Sequence, residues 1–134
     1  FGGKGINVSG VLRELGCESI ALGFTAGETG AWLERGLQLS GLKTRFIRLP
    51  DGGGYMMPDG DRFHMVNGAN WFDRTVSADA AGIILTSLVI NRQLWLYHDS
   101  GDAGLTQLYR MRDAQLWRHI EFHPECNAIY AALD

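Results

Sequence analysis

An α+β domain is the fold class this sequence predicts: an antiparallel meander packed by C-terminal helices, with an N-terminal helix-strand-helix segment attached. Three observations carry that expectation. Two turn signals, Pro50-Asp51-Gly52-Gly53 and Pro58-Asp59-Gly60-Asp61, divide residues 44–67 into short strands joined by tight turns. Ser77 then opens a stretch of helical patterning that lasts to the end of the chain. Residues 1–50 have a different habit, alternating helix and strand spacing. With 134 residues, 46% apolar and 20% charged, the chain is long enough to bury a core.

Taken in order, Ile6, Val8, Val11, Leu12 and Leu15 recur at helical spacing, and Gly16 ends that helix. Ser19 to Thr25 reads as a short buried strand. Trp32, Leu33, Leu37 and Leu39 mark a second helix from Glu28 to about Ser40, stopped by Gly41. Thr44–Leu49 is a strand candidate, Phe46–Leu49 and Gly54–Met57 flank the first turn as a β-hairpin, and Arg62–Asn67 follows as a third strand. Asn67 to Arg74 reads as a loop. Ser77 caps a helix running to about Leu94, and Leu108, Met111, Leu116 and Ile120 give Thr106–Ile120 an apolar face. Pro124 begins a last short helix, Glu125–Leu133. A shift in composition near residue 50 is the one boundary, giving segments 1–50 and 51–134.

Charge separates these segments. Residues 1–50 carry a net charge of +2, whereas residues 51–134 hold six Arg, no Lys and eleven Asp/Glu, a net of −5. Gripping a phosphate backbone needs clustered Lys and Arg, so no direct DNA binding is expected. The acidity is also too diffuse for a DNA mimic. No membrane span is expected either: the longest apolar stretch, Ile83–Ile90, contains Thr86 and Ser87 and falls well short of roughly 18 residues. No basic segment followed by an apolar one marks a secretion signal, although Phe1 in place of Met leaves a preceding segment open. Cys17 and Cys126 lack metal-type spacing and are expected to be free thiols of a cytoplasmic protein.

Gly2-Gly3-Lys4-Gly5-Ile6-Asn7-Val8 suits close approach of a polar ligand to the backbone. With Val11-Leu12-Arg13-Glu14-Leu15-Gly16, Ala21-Leu22-Gly23-Phe24, Gly30 and Gly41-Leu42-Lys43-Thr44, it resembles the PfkB carbohydrate kinases over about 50 residues. The resemblance implies sugar contacts at Gly3 and Asn7, with Lys4 near a phosphate. That family carries its catalytic base in a downstream Gly-Ala-Gly-Asp motif, and Asp99-Ser100-Gly101-Asp102-Ala103-Gly104 has the wrong order. Phosphoryl transfer needs phosphates and metal positioned together, so weak sugar-phosphate binding without catalysis is the most this segment implies.

Five blocks downstream resemble the ArdB/KlcA antirestriction family. They are Gly53-Gly54-Tyr55-Met56-Met57-Pro58, His64-Met65-Val66-Asn67-Gly68-Ala69-Asn70-Trp71-Phe72, and Ser77-Ala78-Asp79-Ala80-Ala81-Gly82-Ile83. Tyr109-Arg110-Met111-Arg112-Asp113 and His123-Pro124-Glu125-Cys126-Asn127-Ala128-Ile129, with Asp134, complete the set. Residues 114–122 separate the last two blocks more widely than in that family, and the kinase-like stretch stands where its N-terminal third would be, as in a chimera.

The resemblance implies a non-enzymatic protein of plasmids and mobile elements that protects incoming DNA from type I restriction-modification complexes. An inhibitor acting by contact needs aromatic and Arg anchors. The Asn67–Arg74 loop offers Asn70, Trp71 and Phe72, and Arg110 and Arg112 lie on a helix. The competing expectation is that Trp71 and Phe72 fold back onto the core, and that Arg110 forms only a surface pair with Asp113. Oligomeric state is left open.

His119 and His123 have i, i+4 spacing, with Glu121, Glu125 and Cys126 nearby. Pro124 interrupts the helix at that point, so His123 is expected to cap or pack, and no metal or other cofactor is expected. Nothing resembles a nucleophile motif, and Ser100, His98 and Asp102 are too close in sequence to form a triad.

Overall fold

The structure, a computed structural model, describes residues 43–134. Four strands precede three helices: β1 (Thr44–Arg48), β2 (Gly54–Pro58), β3 (Arg62–Asn67), β4 (Phe72–Ser77), α1 (Ala78–Asp99), α2 (Ala103–Ile120) and α3 (Cys126–Leu133). The α+β class stands, with the strands ahead of the helices that pack them. In detail, the strands form two two-stranded sheets, β1-β2 and β3-β4, where the sequence suggests one three-stranded meander. The difference lies in Phe72–Ser77, expected as loop and helix cap, which pairs antiparallel with β3 from Arg62↔Ser77 to Asn67↔Phe72.

That pairing follows from the side chains. Phe72 and Val76 alternate inward along β4 and are buried, while Asp73 and Thr75 face solvent opposite Val66 and His64. The hairpin thus gives its apolar face to the core and keeps a polar outer face.

α1 is the central element. Its first half is buried nearly all round through Ala80, Ala81, Ile83, Ile84, Thr86 and Ser87. A helix covered on several sides has no need of an amphipathic stripe. The backbone of β2 lies against it so closely that a Cβ on Gly82 would sit 2.4 Å from the Met56 carbonyl oxygen. Thr86 Oγ1 accepts the Met56 N–H at 3.0 Å, satisfying a buried donor at this contact. Ser77 caps α1 as expected, its hydroxyl accepting from the Ala80 N–H at 3.1 Å. The helix runs past Leu94 to Asp99, and Gly101 at φ 76 turns the chain out of it, its N–H bonding the His98 carbonyl.

Asp102 caps α2 by accepting the Leu105 N–H at 2.9 Å. From α2, Leu116 and Ile120 join the core, and α3 adds Ile129 and Ala132. Cys126, at the start of α3, is a half-buried free thiol. No helix among the described residues is long and apolar enough to cross a membrane.

Candidate functional site

The turn between β3 and β4 presents the most unusual side chain of the described residues. Trp71 adopts φ 60, the one positive φ outside glycine among them, and is 91% exposed. A left-handed backbone costs an L-residue about 1–2 kcal/mol, and exposing an indole forgoes its burial energy. Both costs fall on one residue, and strain of this kind collects at functional positions.

Two asparagines hold the turn. Asn67 Oδ1 accepts the Ala69 N–H at 3.1 Å, and Asn70 Oδ1 accepts the Phe72 N–H at 3.1 Å. These local bonds shape the chain on either side of Trp71. The amide nitrogens face the other way, onto α3. Asn70 Nδ2 donates to the Ala131 and Ala132 carbonyls, both at 3.1 Å, and Asn67 Nδ2 donates to Ala132 at 3.3 Å. The last carbonyls of a helix have no partner within it, so the asparagine pair caps α3 while fastening the turn to it.

The opposite end of β4 is fastened to the start of α3. Glu125 accepts the Ser77 N–H at 3.2 and 3.3 Å and also the Ser77 hydroxyl. Behind this contact lies a part-buried polar chain. Tyr55 donates to Asp79 Oδ1 at 2.5 Å, and His123 Nε2 lies 3.1 Å from Asp79 Oδ2. The Glu125 N–H donates to His123 Nδ1 at 3.0 Å. Because Nδ1 accepts, the hydrogen bonds assign the ring proton to Nε2, which donates to Asp79. Burial, followed by the bond to Asp79, pushes the Tyr55 hydroxyl far above its ordinary range, so it remains a proton donor.

Of the residues expected to meet a partner, Asn70 and Trp71 share this tip. Phe72 does not: it is 5% exposed, its ring inward and covered by the Arg74 guanidinium at 5.8 Å. The alternation of β4 separates two adjacent aromatics onto opposite sides. Arg110 is exposed on α2 beside a cleft lined by His98, Gly101, Ala103, Thr106 and Gln107. Arg112 lies at a different turn, half-buried over Gly52 and Gly53, where it donates to Gln115 Oε1 at 3.1 Å. Arg110 and Asp113 are not among the ion pairs of the described residues, and burial raises the Asp113 pKa, partly offset by Trp117. Gly3, Lys4 and Asn7 lie outside the described residues.

Sequence reasoning foresaw His123 as a capping and packing residue, and its buried ring does both. It missed Asn67 as a clamp and the roles of Tyr55, Asp79 and Glu125. Asn67-Gly68 between two alternating runs was a readable hairpin signal.

This α+β domain, with its fastened aromatic turn, matches known proteins over most of its length. A profile of the antirestriction protein family matches residues 40–134, and the chain belongs to that family. It is 97% identical over 89 residues to YubI of Escherichia coli (strain K12), covering 66% of this chain and 63% of YubI, so it spans less than two thirds of that relative. A solved structure agrees with a TM-score of 0.61 at 23% identity, over 87% of this chain and 99% of the other. It belongs to work on the KlcA and ArdB proteins, described as having a novel fold and antirestriction activity against type I DNA restriction systems in vivo but not in vitro. A 48-residue stretch, 36% of this chain, is 52% identical to the 1-phosphofructokinase of Borreliella burgdorferi (strain ATCC 35210 / DSM 4680 / CIP 102532 / B31), of which it covers 16%.

Proposed function

We propose that this chain relieves type I restriction of incoming DNA by protein–protein contact, without catalysis, a cofactor or a direct grip on DNA. Trp71 is the central anchor of that contact. The observation that carries the assignment is a tryptophan displayed at φ 60 and 91% exposure on a turn pinned by three amide–carbonyl bonds. Protein interfaces concentrate their energy in a few such side chains, tryptophan foremost. Asn70 acts here from within the turn, and the buried Phe72 anchors the strand that follows it. Arg110 is free to add a charged contact, whereas the packing of Arg112 on Gly53 makes it a smaller contributor. The net charge of −5 over residues 51–134 supports contact with protein over contact with phosphates. The setting is the cytoplasm of a cell receiving a plasmid or other mobile element.

The activity described for KlcA and ArdB in vivo but not in vitro directs the test to living cells. Unmodified phage is plated on a type I-restricting host expressing this chain and on a non-restricting control. The proposal expects raised plating efficiency on the restricting host alone; unchanged plating with soluble, folded protein contradicts it.

The 52% identity to a phosphofructokinase favours a second, separate reading for residues 1–50. That segment would form its own unit, distinct from 51–134, with weak sugar-phosphate affinity through Gly3, Lys4 and Asn7. A rise in melting temperature with fructose 1-phosphate, lost on Asn7→Ala substitution, is its expected signature; an unmoved melting temperature counts against it.

A further inference from the structure

We infer that Asn67 and Asn70 are positioning residues that make α3 the strut holding Trp71 in its displayed conformation; the inference deepens the contact reading above and rests on it only for its effect on restriction. Each asparagine has a divided role. The Oδ1 atoms shape the turn locally, at 3.1 Å to the Ala69 and Phe72 N–H groups. The Nδ2 atoms reach more than 60 residues along the chain, to the last-turn carbonyls of α3. An Asx turn needs only the oxygen, so the donors serve something other than local folding.

The geometry shows what they serve. β4 runs alongside α3, with Ser77 tied to Glu125 at the helix start and the Asn67–Asn70 turn tied to Ala131 and Ala132 at its end. Phe72 and Val76, buried between these ties, fix the strand laterally. Trp71 itself, 91% exposed, is held by almost no packing of its own. Its left-handed φ is therefore imposed by its neighbours, and the amide bonds of Asn70 are the nearest restraint. Released from them, the turn would relax toward conformations without the left-handed cost, redirecting the indole. A displayed aromatic fixed before binding loses less entropy on contact, which is how preorganisation strengthens an interface.

Asn70→Asp separates the two halves of the side chain. The carboxylate retains an acceptor for the Phe72 N–H but cannot donate to the carbonyls, and it sets a negative charge against the negative end of α3. The protein is labelled with 5-fluorotryptophan, and the Trp71 19F resonance is assigned with Trp71→Phe. Wild type should give a single Trp71 line whose position reports the fastened turn. In Asn70→Asp and Asn67→Ala that line should shift while that of Trp95 holds its position. Restriction relief in Asn70→Asp should fall at least tenfold. Asn70→Ser, which keeps a short hydroxyl donor and acceptor, should fall between the two in both readouts.

An unmoved Trp71 line in Asn70→Asp would overturn the inference whatever the relief assay gives, and so would wild-type relief beside a relief-defective Trp71→Ala. Failure of the contact reading looks different: Trp71→Ala keeps full relief while the 19F line still responds to Asn70→Asp.

Discussion

Two turns of this molecule are each pinned to a helix, yet they resolve the same backbone problem in opposite ways. The β1–β2 turn uses glycine where φ is positive, with Gly52 at 101 and Gly53 at 74. Arg112 and Gln115 of α2 cover it, Gln115 Nε2 donates to the Asp51 carbonyl at 2.7 Å, and Arg118 pairs with the Asp51 carboxylate at 2.7 Å. The β3–β4 turn places a tryptophan at φ 60 and leaves it open to solvent. The first turn is built for folding: unstrained, covered and tied down. The second is tied down as firmly but displays a side chain that the fold does not use. Fastening is thus common to both, and strained exposure separates the turn proposed to meet a partner from the turn that serves stability.

Glycine substitutions should break this comparison most sharply. Trp71→Gly is expected to reduce restriction relief to the level of an empty vector. It should nonetheless leave the melting temperature equal or slightly higher, because relief of about 1–2 kcal/mol of left-handed strain outweighs about 0.4–1 kcal/mol of added unfolded-state entropy. Thermal unfolding of the purified variant and phage plating on cells expressing it check both halves.

Gly53→Ala reverses the pattern. A Cβ there would lie 2.8 Å from Gln115 Oε1 at φ 74, so the covering side chain must move and the backbone is strained. A loss of about 1–3 kcal/mol is expected by denaturant unfolding, with relief retained under conditions where the protein stays folded. Equal stability losses at the two turns would erase the distinction between them.

How far these turns could be read from sequence differs as well. Pro50-Asp51-Gly52-Gly53 announces a turn through its residue types, and Ser77 and Pro124 likewise mark helix starts by local chemistry. β4 was harder to see. Its interior pair, Asp73-Arg74, is charged, and its last residue, Ser77, doubles as the α1 cap, so local preference masks a strand that tertiary pairing with β3 decides. The tip was legible in kind, as a loop with two aromatics, but not in detail. Which of Trp71 and Phe72 turns inward depends on the β3–β4 register. The donor roles of Asn67 and Asn70 depend on a helix more than 60 residues away.

A smaller effect sharpens the account of the core behind the hairpin. Tyr55 has its pKa raised by burial and by Asp79. A group whose protonated form is favoured by folding adds stability below its unfolded value of 10.0, and that stability is lost as pH rises toward the folded value. Wild-type stability should therefore fall above about pH 10 more steeply than that of Tyr55→Phe, as pH-dependent urea unfolding would show. Parallel alkaline limbs would mean that Tyr55 is not the group responsible.

The smallest effect is expected at Arg118, whose side chain is largely exposed beside Asp51. Arg118→Ala should cost at most about 1 kcal/mol, and less in high salt, by denaturant unfolding at two ionic strengths. A larger, salt-insensitive loss would show the glycine turn to depend on this pair more than on its Gln115 contact.

The central claim is that Trp71 serves a partner and not the fold. Its most direct test is the plating efficiency of unmodified phage on a type I-restricting host expressing Trp71→Ala at the soluble level of the parent chain. The account predicts a fall to the empty-vector value; plating equal to that of the parent chain would contradict it.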